Sequence, residues 1–397
     1  MIHTHPPIRF RSFDCEGLPV TVGISHFEGQ NGVSEYHLML RPTEYGSIDG
    51  QLDCLIAAYQ SALESCGLDA DTAVFRRFFC SDLPNQAPAL RANPFANPTS
   101  EDCAVSWVGQ PPAPPAKVAL WAYHISDNHG PLEKSKHGTT LSLKRGETTH
   151  HWTTSLICAD KDNSYDQTSE ILAEYEGFLK SRGMNLAENV IRTWFFVQNV
   201  DANYQGLVTA RREMFTERGL TPETHYIAST GIEGTSAEVA GKVLMDAYAV
   251  SGIRREQIEF LHALDHLSPT HVYGVTFERG VSVAWRDRKH ILISGTASID
   301  RDGKIVHPGN VLKQLDRTLE NVEALLQQAG AGLQDVCSFI VYVRDPSDLE
   351  VAQRTMHERF SPAPIQTVVA PVCRPGWLIE IECQAIVPEN NPNVPAF

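Results

Sequence analysis

Residues 311–343 read "VLKQLDRTLENVEALLQQAGAGLQDVCSFIVYV". Apolar residues recur at helical spacing up to Leu326, which predicts an amphipathic helix of about five turns. Gly330 closes that helix, as expected where a left-handed cap is needed. A short polar turn follows, and Val336 opens a β-branched and aromatic strand. The same unit occurs twice more. "QLDCLIAAYQSALESCGLDADTAVFRRFF" starts at Gln51, and "DQTSEILAEYEGFLKSRGMNLAENVIRTWFF" starts at Asp166. Tyr59, Leu63 and Gly67 are spaced four and four, as are Tyr175, Leu179 and Gly183, and Val322, Leu326 and Gly330. The step from glycine to the strand-opening valine (Val74, Val190, Val336) is seven, seven and six residues. A repeat of this period means three copies of one folding unit.

The flanks extend the unit. "RREMFTERG" and "VAQRTMHERF" read as second helices, with Asp201 or Asp345 and Pro346 at their starts. In the first copy that place is held by "LPNQAPALRANPFANPTSE", which reads as irregular. Two strands close each copy, ending in "WLIEIECQAIV" in the third. The pattern per unit is hairpin, helix, strand, helix, two strands: an α+β fold, a mixed sheet with helices on one face. The expected organisation is a degenerate unit over 1–126, a second over 137–250, a connector over 251–271 and a third over 272–390. The polar stretch Asp127–Lys136 marks one boundary. "RREQIEFLHALDHL", inside the connector, reads as a short helix.

The 397 residues suffice for two to three ordinary domains. No apolar run reaches the length of a membrane span. The first seventeen residues lack the basic stretch and apolar core of a secretion signal. Nine scattered cysteines form no CxxC pair, which fits reduced thiols in a cytoplasm. The net charge of −15 disfavours nucleic-acid binding. His150 and His151 in "THHW" are strand neighbours that point oppositely, and no metal-ligand cluster appears. No P-loop or dinucleotide fingerprint is present, so no cofactor is expected.

Chemistry concentrates near the C-terminus. Glu380 and Glu382 stand two apart in an apolar strand and therefore share one face. A row of edge glutamates facing water is the plain alternative. The sharper one is a carboxylic acid held partly dry, its pKa raised by burial and by its like-charged neighbour. Ser229, Thr230 and the backbone around Gly231 form a small polar cluster, where glycine allows a turn that offers N–H groups to an anion.

The third copy, from residue 272 to 387, resembles the YjgF/RidA superfamily in its SGTAS strand, its helix ending in AG, its VYVRD strand and its closing IEIE. The second copy is similar to a divergent member and the first to a more eroded one. Members usually form homotrimers with sites in the clefts between neighbouring sheets. The resemblance therefore implies a trimer built from one chain, as a monomeric pseudo-trimer or a higher homo-oligomer. In the alignment of the copies, Lys242 or Val243 and Val118 or Ala119 stand at the place of Glu380, with a slip of one residue allowed. One cleft at most is then expected to keep the acid. Imine-hydrolysing members carry an arginine about fifteen residues before the first glutamate of IEIE; here Pro364 or Ile365 holds that place.

"THYIASTGI", "YGVTFERG" and "VCRPGWLIEIE" resemble the chorismatase branch. That branch hydrolyses chorismate to pyruvate and a dihydroxy-cyclohexadiene carboxylate or a hydroxybenzoate, without a cofactor. The resemblance implies Glu380 as the catalytic carboxylate, with Glu382 beside it on the same face as the second catalytic candidate. It implies Tyr226, Ser229, Thr230, Gly231 and Arg374 around a carboxylated small molecule, with Thr296, Ser298 and Cys373 nearby. Ile227 departs from the branch's commoner proline. A Rid-type imine or enamine deaminase and a non-catalytic metabolite-binding protein are the alternatives.

Overall fold

The computed structural model describes residues 8–15, 17–98 and 103–397. Residues 1–7, considered above for a secretion signal, and 99–102, in the proline-rich segment, lie outside the described residues. The first unit comprises β1 (Ile8–Asp14), β2 (Val20–Glu28), β3 (Val33–Pro42), α1 (Ile48–Cys66), β4 (Ala73–Cys80), α2 (Leu83–Ala92), β5 (Ala104–Gly109) and β6 (Val118–Asp127). The second comprises β7 (Glu133–His137), β8 (Thr140–Arg145), β9 (Thr148–Ile157), α3 (Ser164–Ser181), α4 (Leu186–Asn189), β10 (Val190–Val197), α5 (Val200–Glu217), β11 (Ala228–Glu233) and β12 (Val243–Ser251). The third comprises β13 (Ile258–Leu261), β14 (Gly280–Ala284), β15 (Arg288–Ala297), α6 (Val311–Gln328), β16 (Val336–Val343), α7 (Leu349–Phe360), β17 (Ile365–Val369) and β18 (Ile379–Pro388). Each forms one six-stranded mixed sheet, ordered β1-β2-β3-β6-β4-β5 in the first and equivalently in the others. The final strand of each unit runs antiparallel beside the central one, and the strand before it pairs parallel.

The repeat signals correspond to local physics. Ser47, Asn163 and Asn310 accept the backbone N–H three residues on, capping α1, α3 and α6. Gly67, Gly183 and Gly330 take φ of +68°, +69° and +79° where those helices end. The central strands β4, β10 and β16 are buried along their whole length. Helices cover one face, and the other units cover the opposite one, which is why these strands are mostly apolar, interrupted by Arg76 and Arg77 in β4 and by Arg192 in β10. A single core joins all three sheets and contains Trp121, Trp152, Trp194 and Trp285. Separate clusters lie beneath α1 and α3. This is the α+β pseudo-trimer expected from the repeats.

Two local expectations are corrected. The segment after β4 is not irregular throughout: Leu83–Ala92 is helical, with proline in its first turn and Pro88 inside. Proline is tolerated early in a helix, because the first N–H groups have no intrahelical partner. The connector holds no α-helix. Ile258–Leu261 is instead an edge strand paired antiparallel with β14. The unpaired backbone of a sheet edge outcompetes a helix of so few turns.

Each junction between units carries a buried ion pair. Arg77 and Asp246 meet at 2.8 Å with both side chains wholly buried. Arg192 and Glu382 meet at 2.9 Å, and Arg288 and Glu35 at 2.6 Å. Such pairs add little net stability but penalise wrong registers heavily. Asp246→Ala, which strands the Arg77 charge, is expected to lower unfolding free energy by about 3–5 kcal/mol. Adding Arg77→Met should recover part of that loss in the double variant, as read by urea denaturation.

Candidate active site

Strand alignment fixes which residues correspond. Phe79, Phe196 and Tyr342, each seventh in its eight-residue central strand, pair with Ala119, Leu244 and Glu380. The second unit's counterpart of Glu380 is thus Leu244, one residue beyond the sequence alignment. Two places along, Arg77, Trp194 and Ile340 pair with Trp121, Asp246 and Glu382. Only the third unit carries an acid at the Glu380 position.

Glu380 lies in a cavity of about 480 Å³ between the second and third units. The second unit contributes Ser229 and Gly231 from β11 and Tyr204 and Arg211 from α5. The third adds Arg279, Cys373, Arg374 and Trp377, with Val275, Phe277, Ala297 and Ile299 as apolar wall. The two sheets are joined here: Glu278 N–H donates to the Ile227 carbonyl at 3.1 Å, and Ser229 N–H to Ser294 Oγ at 3.0 Å. Gly295 also lines the cavity, and any side chain there would collide with the Glu380 carboxyl.

The two glutamates occupy different surroundings. Glu382 Oε2 accepts from Arg192 at 2.9 Å and from Thr230 Oγ1 at 2.5 Å, and its Oε1 accepts from Trp194 Nε1 at 2.9 Å. Thr230 Oγ1 in turn accepts from the Gly295 N–H at 2.8 Å. Glu380 has no hydrogen-bond partner among the described residues, though it is 5% exposed. Burial, and then the charge of Glu382, push its pKa up to about 8, against the pull of Arg279 and Arg192. At neutral pH it is a carboxylic acid able to donate.

Around it stand donors. Arg211, 1% exposed, gives Nη1 to Ser229 Oγ at 3.3 Å and Nε to Thr276 Oγ1 at 3.3 Å. Its Nη2, like Trp377 Nε1, has no partner among the described residues. Unpaired buried donors in a cavity wall are places for a ligand's acceptor atoms. Arg374 is exposed at the edge and lies over the Trp377 ring, 5.5 Å from its centroid. Burial, and then Glu380, push the Cys373 thiol up to about 12. It is a protonated thiol, not a ready nucleophile.

Of the residues named from sequence, Glu380, Ser229, Gly231, Cys373 and Arg374 share the cavity. Thr230 and Glu382 sit behind it in the Arg192 cluster. Thr296 Oγ1 donates to the Ser294 carbonyl and Ser298 Oγ to the Val306 carbonyl, and neither lines the cavity. Tyr226 is buried against Phe215 and also lies off the wall. The expectation that Gly231 shapes an anion-binding turn is corrected: it is an ordinary strand residue with no positive φ. Its missing side chain makes room for the Tyr204 ring, which a Cβ would meet at 3.0 Å. Tyr204, Arg211 and Arg279 join the site without having been singled out by sequence reasoning. One signal is present for Arg211: Leu207, Arg211 and Phe215 are spaced four and four, so it interrupts a buried helical stripe.

The endoribonuclease L-PSP family model matches residues 279–387. A RutC family protein of Pyrococcus abyssi is 31% identical over 96 residues, which are 24% of this chain and 76% of that protein. A chorismatase of Streptomyces hygroscopicus is 27% identical over 237 residues, 55% of this chain and 66% of the relative. A crystal structure of chorismatase superposes with a TM-score of 0.58 at 18% identity, covering 79% of this chain and 93% of the other. That superposition extends the likeness in fold across most of the pseudo-trimer.

Because Glu380 titrates higher in the folded chain than its ordinary value near 4.5, the native state binds more protons between about pH 4.5 and 8. The stability it contributes is complete below pH 4.5 and lost as pH rises through 8. Glu380→Gln removes that dependence. Thermal melts should therefore show the variant gaining on the wild type from pH 5 to 8, by at most about 1.4 kcal/mol per pH unit. A gap that stays constant with pH would mean an ordinary carboxylate.

Proposed function

The chain belongs to the YjgF/RidA family, and on that premise we propose that it is a chorismatase-like hydrolase that opens the enol ether of chorismate or a similar carboxylated small molecule. The supporting observation is Glu380: a neutral acid without a hydrogen-bond partner among the described residues, in a mostly closed cavity lined by three arginines. Acid-catalysed opening of an enol ether needs a proton at the terminal vinyl carbon, which leaves an oxocarbenium at the carbon bearing the ether oxygen. A carboxylic acid with pKa near the working pH suits that transfer.

In this mechanism Glu380 delivers its proton to the methylene carbon. Water adds to the oxocarbenium and gives its proton back to the Glu380 carboxylate. The resulting hemiketal breaks its bond to the ring oxygen, releasing pyruvate and a ring alcohol. Arg211 and Arg279 hold the substrate carboxylates, with Arg374 at the mouth. Arg211 comes from helix α5; Ile365, where the sequence lacks the imine hydrolases' arginine, lines the cleft with the first unit, and Ser229 holds the equivalent place in this cavity. The apolar wall of Val275, Phe277 and Ile299 keeps the acid neutral until substrate arrives. Glu382, bound to Arg192 and Thr230, supplies the fixed charge that helps raise its neighbour.

Incubation with chorismate, with pyruvate scored by a coupled assay, tests the proposal. The wild type should release pyruvate, and Glu380→Gln should cut kcat by about 10²–10⁴-fold, the usual worth of a general acid. Arg211→Met should act mainly on KM. Release of ammonia from freshly made 2-iminobutyrate, with no pyruvate from chorismate, would contradict it.

A further inference from the structure

The pseudo-threefold arrangement puts a second cleft, between the first and third units, in the place that the Glu380 cavity occupies between the second and third. This cleft, open to solvent at its mouth, has about 850 Å³ of empty space. We infer that it is a separate, non-catalytic binding site for a small carboxylate with an apolar body.

The register shows what has changed. In the third unit Ala297 pairs with Glu380. In the first, Leu40 pairs with Leu120, so Arg41 follows at the level of Ala119. The acid is gone, and the adjacent strand carries a cation where the third unit has alanine. Ile365 occupies the position of Ser229, since it pairs with the fourth residue of its central strand as Ser229 does. Arg41, Gln366 and Thr21 supply the polar side of the cleft, and Met39, Ile365 and Pro362 an apolar one.

Charge selects the ligand's sign. In a chain of net charge −15, none of the described side chains lining this cleft is acidic. The Arg41 guanidinium is partly buried and has no hydrogen-bond or ion-pair partner among the described residues. Burial lowers its pKa and no carboxylate offsets it. His357, at the end of α7, also lines the cleft, and its pKa is lowered by burial and then by Arg41. A partly desolvated cation without a counter-ion is costly, and an incoming carboxylate would restore a bidentate partner. The apolar wall favours an organic acid over a bare inorganic anion. With no acid at Ala119, a bound ligand would be held without being turned over.

Crystals of the full chain soaked with 4-bromobenzoate test this directly, the bromine being located by anomalous scattering. A peak is expected beside Arg41 and is expected to vanish in Arg41→Met. In calorimetric titrations, benzoate binding at this site should weaken at least about tenfold in Arg41→Met, while turnover of chorismate without benzoate stays unchanged. Inorganic phosphate should bind more weakly than benzoate. A wild-type crystal with bromine only in the Arg211 cavity, an undiminished peak in Arg41→Met, or phosphate binding as tight as benzoate would each overturn the assignment.

Discussion

The ion pair of Arg192 with Glu382 is the contact on which the site depends. It crosses from the second unit to the third, carries Thr230 and Trp194 as further donors, and is sealed from water. A charge pair so placed tolerates little shift, because each partner without the other would be stranded in the core. It therefore sets how β11 meets β15. It also leaves Glu380, two residues along the same face, beside a fixed negative charge and without a hydrogen-bond partner of its own among the described residues. Two identical side chains on one strand thus take opposite parts, one a counter-ion and the other an acid.

Fusion of three units into one chain allows such differences to accumulate. In a trimer of identical subunits every cleft must carry the same residues. Here the position of Glu380 is held by Leu244 and Ala119 elsewhere, and the three junction ion pairs take their arginines from different strand positions, although Asp246 and Glu382 are equivalent. The architecture is kept by shared backbone pairing and a common aromatic core, while the clefts have separated in chemistry. One holds an acid among arginines, and another holds an arginine and, among the described side chains, no acid.

Much of the fold is legible in the sequence because its signals are local. Helical spacing, asparagine or serine caps and left-handed glycines repeat in register, so three units can be counted from the residues alone. What escapes is short or compensated: α2, with proline inside it, and β13, whose four residues gain their meaning only from the sheet edge. The Glu380 strand is legible too, since paired carboxylates in an apolar run are unusual. The ion pairs are not. Arg77 and Asp246 lie 169 residues apart, and Arg288 and Glu35 lie 253 apart, with nothing in either local sequence to mark the partner. Arg211 shows in the sequence only as a cation within an apolar helical stripe, and its partners Ser229 and Thr276 come from distant segments.

The proposed chemistry requires Glu380 to be a neutral acid in the working pH range. Infrared difference spectroscopy between the wild type and Glu380→Gln measures this without any substrate. The expected result is a protonated-carboxyl band, absent from the variant, that persists at neutral pH and titrates away near pH 8. A carboxylate signal already complete at pH 6 would contradict it.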